Sequence, residues 1–112
     1  EEDFQTVGLL CRETLVSLGQ AVYDPNFHPS FDGVDISETD FKRQIEAYIA
    51  CILKGSKHEN LRKFVKSSFQ VSNDIQHRRT ANYTLAALCF EATSASVNTI
   101  RILANDKNKI SV

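Results

Sequence analysis

Apolar residues recur every three or four positions through four long stretches of the chain, and this is the period of an amphipathic helix. The spacing predicts helices over about residues 3–23, 38–54, 58–77 and 81–104. Gly and Pro are scarce, with four and two copies, which favours long helices over many short strands. The predicted fold class is therefore all-α, an antiparallel four-helix bundle formed by a single domain of 112 residues.

Residues 24–37 form the longest predicted connection. Asp24-Pro25 ends the first helix, because a residue that precedes Pro is disfavoured in the helical region. The segment is rich in turn residues but also carries four large apolar ones, Phe27, Phe31, Val34 and Ile36. A solvated linker does not need them, so we expect a long ordered loop whose aromatic side chains plug one end of the bundle.

The second helix carries capping signals at both boundaries. Residues 37–40 (Ser-Glu-Thr-Asp) include two side chains suited to an N-cap. Lys54-Gly55 supplies a cation and then Gly, the usual pattern at a helix C-terminus. These signals set the predicted bounds of that helix.

Cys11, Cys51 and Cys89 fall on the apolar stripes of three different predicted helices. No CxxC spacing or neighbouring His favours a metal site or a disulfide framework. We expect small core residues in a reducing, cytoplasmic compartment, and neither a metal nor another cofactor. No apolar run reaches the length of a membrane span, so we expect no membrane partner.

The start of the chain, Glu1-Glu2-Asp3, lacks the basic residues and apolar run of a secretory signal. The sequence contains no Met. We therefore expect a chain that has been processed or excised from a longer protein.

A net charge of −1 conceals a division of charge along the chain. Residues 1–40 contain nine acidic residues against one basic residue, a formal charge of −8. Residues 54–79 contain seven basic residues against two acidic ones, a formal charge of +5. Such a division suits an anionic partner, self-association or an intramolecular contact, and the sequence does not choose among them.

A polar cluster, Ser72 to Arg79, separates the third and fourth predicted helices. Asn73 and His77 are four residues apart and share a helix face. His77 suits a general acid–base, and Arg78 and Arg79 suit phosphate contacts. Asn73 suits either orienting the imidazole or binding a ribose hydroxyl. The simpler interpretation is that the basic residues stabilise the negative end of a helix.

The Asn73-x-x-x-His77 pattern at this junction of a four-helix chain resembles the HEPN superfamily. The family signature is an Arg, then a polar residue such as Asn, then a His four to six residues after the Arg. Asn73 and His77 match the last two positions, whereas Ser72 stands where the Arg is expected. Without that Arg the family's usual phosphate clamp is missing.

The resemblance implies a homodimeric domain of a prokaryotic defence or toxin-type system that binds or cleaves RNA. An active form would be a metal-independent endoribonuclease, with His77, Asn73 and Arg78 as the catalytic residues. The nucleic-acid contacts would come from the basic residues nearby: Arg79, Lys66, Lys63 and Arg62.

Two other hypotheses use the same residues differently. A non-enzymatic helical module that dimerises or binds a protein partner agrees with the missing Arg and the divided charge. Nucleic-acid binding without chemistry would use the basic face of residues 54–79. Both belong to a different class from a nuclease.

Overall fold

The computed structural model describes residues 2–77 and 82–105. Four α-helices and a 3-10 turn account for most of them: α1 (Glu2–Val22), α2 (Phe41–Ile52), the turn Ser56–His58, α3 (Glu59–Gln76) and α4 (Tyr83–Asn105). The predicted all-α helical bundle is confirmed. The fourth helix was predicted to begin at residue 81, which lies outside the described residues. Residue 82 is described and precedes α4.

The directions of the helices follow from the contacts along each interface. α3 runs antiparallel to its two sequence neighbours, as four pairs show: Phe41–Phe69 and Leu53–Arg62 with α2, and Ser68–Ser96 and Ser72–Thr93 with α4. α1 and α4 begin at the same end, where the rings of Phe4 and Tyr83 lie 6.3 Å apart. The thiols of Cys11 and Cys89 meet further along both helices. These two helices are therefore parallel. The predicted antiparallel packing holds for α3 against α2 and α4, but not for α1 against α4.

The main hydrophobic core lies where all four helices overlap. Its buried members are Leu15, Phe41, Ile45, Tyr48, Ile49, Leu53, Val65, Phe69, Ile100 and Leu103. We call this region the four-helix end; it comprises residues 15–22, 41–53, 59–69 and 96–105. α2 has only 12 residues and does not extend along the rest of the bundle. The remainder, residues 2–14, 70–77 and 83–95, is the three-helix end.

α2 is shorter than the sequence predicts. Its N-cap is Asp40, whose Oδ1 accepts a hydrogen bond from the backbone N–H of Arg43 at 3.3 Å. Residues 37–39 therefore precede the helix instead of forming its first turn. At the other end the helix stops before Lys54, because Leu53 already has a non-helical backbone and Gly55 takes a positive φ of 87°.

The loop between α1 and α2 is ordered, but its aromatic residues do not plug the bundle. Phe31 is fully exposed, and Phe27 and Val34 are largely exposed as well. His28 takes the inward position instead, with its ring 5.4 Å from that of Tyr48. The expectation of a buried aromatic plug was wrong, because a loop has no helical period that assigns its residues to an inner face.

Candidate functional site

His77 lies at the C-cap of α3 and is exposed, and its backbone N–H points to the Asp74 carbonyl at 3.3 Å. Asn73 is half-buried one turn earlier. Arg78 and Arg79 lie outside the described residues. The structure therefore places the predicted acid–base residue on the surface at a helix end, and the proposed catalytic group of His77, Asn73 and Arg78 stays a prediction.

The position of the expected signature Arg is buried. Ser72 has no exposed surface, and its hydroxyl lies 2.7 Å from that of Thr93 across the α3–α4 interface. The same hydroxyl accepts a hydrogen bond from Gln76 Nε2 at 3.0 Å. A side chain at this position points between two packed helices, so an Arg here could not reach a phosphate at the surface without rearrangement.

Small polar residues and thiols continue this interface. Ser96 donates to Ser68 at 3.2 Å, one turn away from the Ser72–Thr93 pair. Cys89 is buried beside Cys11, Ser72 and Thr93, and burial together with the neighbouring Cys11 thiol raises the pKa of Cys89 to about 11. Cys11 and Cys89 are thus core residues, as predicted. Cys51 is only half-buried, and its thiol donates to the Phe27 carbonyl.

The basic residues of α3 differ in what they contact. Arg62 donates from Nη1 to the carbonyls of Leu53 and Gly55, so it caps the end of α2. Lys63 forms an ion pair with Glu59 at 3.3 Å. Lys66 is exposed and makes no ion pair with any residue in the described part of the chain. Of these three, only Lys66 has no ion-pair or hydrogen-bond partner among residues 2–77 and 82–105.

Helical phase brings several predicted site residues onto one stripe of α3. Positions 62, 66, 73 and 77 follow one another by four, seven and four residues, so they share a face of the helix. Lys66 on this stripe faces α2, since it lines a recess together with Lys42 and Glu46. Asn73 and His77 continue the stripe past the N-terminal end of α2, into the three-helix end.

A groove of about 420 Å³ runs between α1 and α4. Its lining is mostly apolar or small: Val7, Leu10, Cys11, Thr14, Phe90, Thr93, Ser94, Val97 and Asn98. Leu10 and Phe90 also project outward, with 56% and 58% of their surfaces exposed. None of the described residues that line this groove is charged.

A second groove, of about 200 Å³, lies between the long loop and the α2–α3 pair. Three cations line it, Arg43, Arg62 and Lys66, together with Glu46. Phe31 stands at its rim. α1 packs against α2, α3 and α4, whereas α2 and α4 have no extended contact. The α1–α4 and α2–α3 pairs therefore occupy opposite sides of the bundle.

Two histidines outside the polar cluster contribute to turns of the chain. His58 is buried, and its Nδ1 lies 2.8 Å from the Lys54 carbonyl, so it belongs to the turn before α3. His28 is half-buried and accepts a hydrogen bond from the Asp24 backbone N–H. Burial lowers the pKa of His28, and the charge of Asp24 opposes that change. A Gly three residues before His58 was the one sequence signal of a tight turn.

No protein-family model matches the chain, and no curated protein or solved structure is significantly similar to it. None of the helices in the described part is long and apolar enough to cross a membrane. Among residues 2–77 and 82–105, no cluster of His, Cys, Asp and Glu side chains is suited to hold a metal ion.

Proposed function

We propose that the protein is a non-enzymatic helical interaction module that forms a homodimer through the α1–α4 groove. The observation that carries this proposal is a surface that combines an apolar recess with exposed Leu10 and Phe90 at its borders. A two-fold dimer requires a patch that is complementary to itself. A recess flanked by protruding apolar side chains meets that requirement, since the protruding side chains of each copy can enter the recess of the other.

The charge pattern of α4 supports a second copy as the occupant. Glu91 and Arg101 are the only charged residues among the 23 of this helix. Depletion of charge is typical of the centre of a protein interface. The two residues are exposed, have opposite charge and lie about 15 Å apart along the helix. Antiparallel packing of two α4 helices that cross midway between them brings each Glu91 opposite the other copy's Arg101.

Removal of the apolar contact tests the dimer. Phe90→Glu should weaken dimerisation by about 2 kcal/mol or more, roughly 30-fold in Kd, because a central aromatic anchor is replaced by a charge. Phe64→Glu is the matched control, since Phe64 is similarly exposed on α3 but does not line the groove. Sedimentation equilibrium measures both variants. A monomeric wild-type protein at high concentration contradicts the proposal.

Exchange of the two charges tests the arrangement of the helices. Glu91→Arg and Arg101→Glu should each weaken the dimer, because like charges then face each other across the two-fold axis. The double variant restores both pairs and should recover most of the lost affinity. If the double variant instead lost as much dimer affinity as the two single variants together, antiparallel packing of the α4 helices would be contradicted. The protein could then still dimerise in another arrangement.

The endoribonuclease hypothesis remains a second proposal with its own test. Its support is the exposed imidazole of His77 on the same stripe as Lys66. The buried Ser72 counts against the family mechanism, because that position cannot supply the phosphate clamp. RNA cleavage by purified protein that is lost in a folded His77→Ala variant would support catalysis. Equal cleavage by that variant would remove His77 from the mechanism.

A further inference from the structure

We propose that the groove between the long loop and the α2–α3 pair binds single-stranded nucleic acid. In this site Phe31 stacks on a base, while Arg43, Arg62 and Lys66 contact the phosphates. The site lies on the side of the bundle opposite the α1–α4 groove, so it is independent of the proposed dimer. It also requires no catalytic residue.

Phe31 has the properties of a stacking platform. Its side chain is fully exposed, and it lies at the rim of a groove that is lined by cations. The next residue anchors it, because Asp32 forms an ion pair with Arg43 at 2.6 Å. Asp32 Oδ1 also accepts the backbone N–H of Val34 at 3.0 Å. These contacts hold the loop over α2, so the ring is presented before any ligand arrives.

The cations of the groove are held in position as well. Arg43 is fixed by Asp32, and Arg62 is fixed by the carbonyl groups at the end of α2. Lys66 has no ion-pair partner among the described residues, and its flexible ammonium group can follow a phosphate. Glu46 is the one acidic residue among the described residues that line the groove, and Asp32 pairs with Arg43 at its edge. Three cations against these two carboxylates leave a net positive charge of one.

The cationic surface continues along α2 and α3. A neighbouring recess of about 300 Å³ shares Glu46 and Lys66 with the groove beside the long loop and adds Lys42, Ser67 and Gln70. The two recesses together form a track that follows α3 from Arg62 to Gln70, about 12 Å of helix. A cationic track beside an exposed aromatic ring is the combination that binds single strands without sequence preference.

The exposed ring of Phe31 favours a nucleic acid over an acidic peptide as the ligand of this groove. An acidic peptide needs only the cations, whereas a base has a flat face that stacks on phenylalanine. Duplex nucleic acid keeps its bases inside the helix and cannot use Phe31 in this way. The expected preference for single strands over duplexes therefore depends on one side chain, Phe31.

Fluorescence anisotropy with labelled oligonucleotides tests the site in the full chain. The probes are unstructured uridine and deoxythymidine oligomers of about 12 nucleotides, a length within the range that single-stranded binding folds cover. Phe31→Ala should weaken binding about tenfold, the loss expected for one stacked base. Lys66→Glu should weaken binding and lower the salt dependence, which for three phosphate contacts has a slope of about −2. The ratio of the two affinities tells whether RNA or DNA is preferred.

The chain offers a matched control for each variant. Phe27 is an exposed loop phenylalanine that does not line the groove, so Phe27→Ala should leave the affinity unchanged. Lys54→Glu makes the same charge change outside the groove. The proposal is overturned if neither oligomer binds at low salt, or if Phe31→Ala and Phe27→Ala behave alike. Equally tight binding of poly-glutamate would also overturn it, since a peptide would then explain the cations.

Discussion

The two ends of the bundle are built from different kinds of residue. At the four-helix end the interior is mainly aliphatic and aromatic, with Leu15, Ile49 and Leu53 completely buried. At the three-helix end the interior consists of small polar groups and thiols, with Ser72 and Cys89 at its centre. The exposed apolar residues of α1, by contrast, belong to the three-helix end.

The length of α2 explains much of this difference. Val16 packs against the main core, yet Leu9, two helical turns earlier on the same face of α1, is 57% exposed. α2 begins at Phe41, which lies beside Gly19 near the C-terminal end of α1. An apolar stripe thus becomes buried only where a partner helix is long enough to cover it. The uncovered part of the bundle is also where the α1–α4 groove lies.

Ser72→Arg should reduce stability more than any of the other substitutions, because it places a charge inside the three-helix end. An unpaired buried guanidinium is expected to cost about 4 kcal/mol or more, which is most of the stability of a small domain. The variant should therefore be largely unfolded by circular dichroism, and it should gain no nuclease activity. Asn73→Arg, one residue away and half-buried, should stay within about 1 kcal/mol of the wild type.

A folded Ser72→Arg variant would show that α3 and α4 can separate at this point. That result would contradict the tight polar packing that we describe for the three-helix end. Chemical denaturation in urea, followed by the helical signal, distinguishes the two outcomes.

Periodicity predicted the helices well because burial follows a regular phase within them. The spacing of Val65, Phe69, Ser72 and Ile75 predicts an inner position for Ser72, which is indeed buried although the residue type alone suggests the surface. The same period predicts an inner position for Phe64, but Phe64 is 52% exposed, since a stripe of this width includes positions that no neighbour covers.

The candidate surfaces were harder to predict, because each depends on contacts between distant segments. The exposure of Phe31 depends on the path of a loop held by the Asp32–Arg43 pair. The α1–α4 groove depends on those helices being parallel, which no local pattern specifies. Charge in the sequence identified Lys66, but it could not tell that Arg62 caps α2.

The thiol of Cys89 should make the three-helix end sensitive to alkaline pH. Burial and the neighbouring Cys11 thiol raise its pKa from 9.0 to about 11, so the folded state favours the neutral thiol. This contribution is complete below pH 9 and is lost as the pH rises through 11. A shift of two pKa units corresponds to about 3 kcal/mol.

The unfolding free energy of wild type and Cys89→Ala measures that contribution. The difference in unfolding free energy between the two proteins should decrease from pH 9 to pH 11. Only the wild type carries the Cys89 thiol, so only the wild type loses stability as this thiol ionises. Ser96→Ala is the control, since the buried Ser96 hydroxyl in the same interface does not ionise over this range and the difference should stay constant. A constant difference for Cys89→Ala would mean that its thiolate is tolerated inside the bundle.

The smallest expected effects come from two glycines of α1, one at each end of the bundle. A Cβ on Gly8, at the three-helix end, meets nothing within 4 Å. A Cβ on Gly19 meets the Gln44 side-chain oxygen and, at 3.2 Å, the Cα of Phe41. Gln44 cannot easily move away, since its Nε2 donates to the Ser37 and Glu38 carbonyls.

Gly8→Ala should therefore stabilise the protein by about 0.5–1 kcal/mol through helix propensity alone. Gly19→Ala should destabilise it by about 1–2 kcal/mol, because overpacking against α2 exceeds the same gain in propensity. Thermal unfolding of the two variants beside the wild type gives both signs in one experiment. Equal stabilisation by both substitutions would mean that α2 does not pack closely on α1, and the division between a covered and an uncovered end would lose its basis.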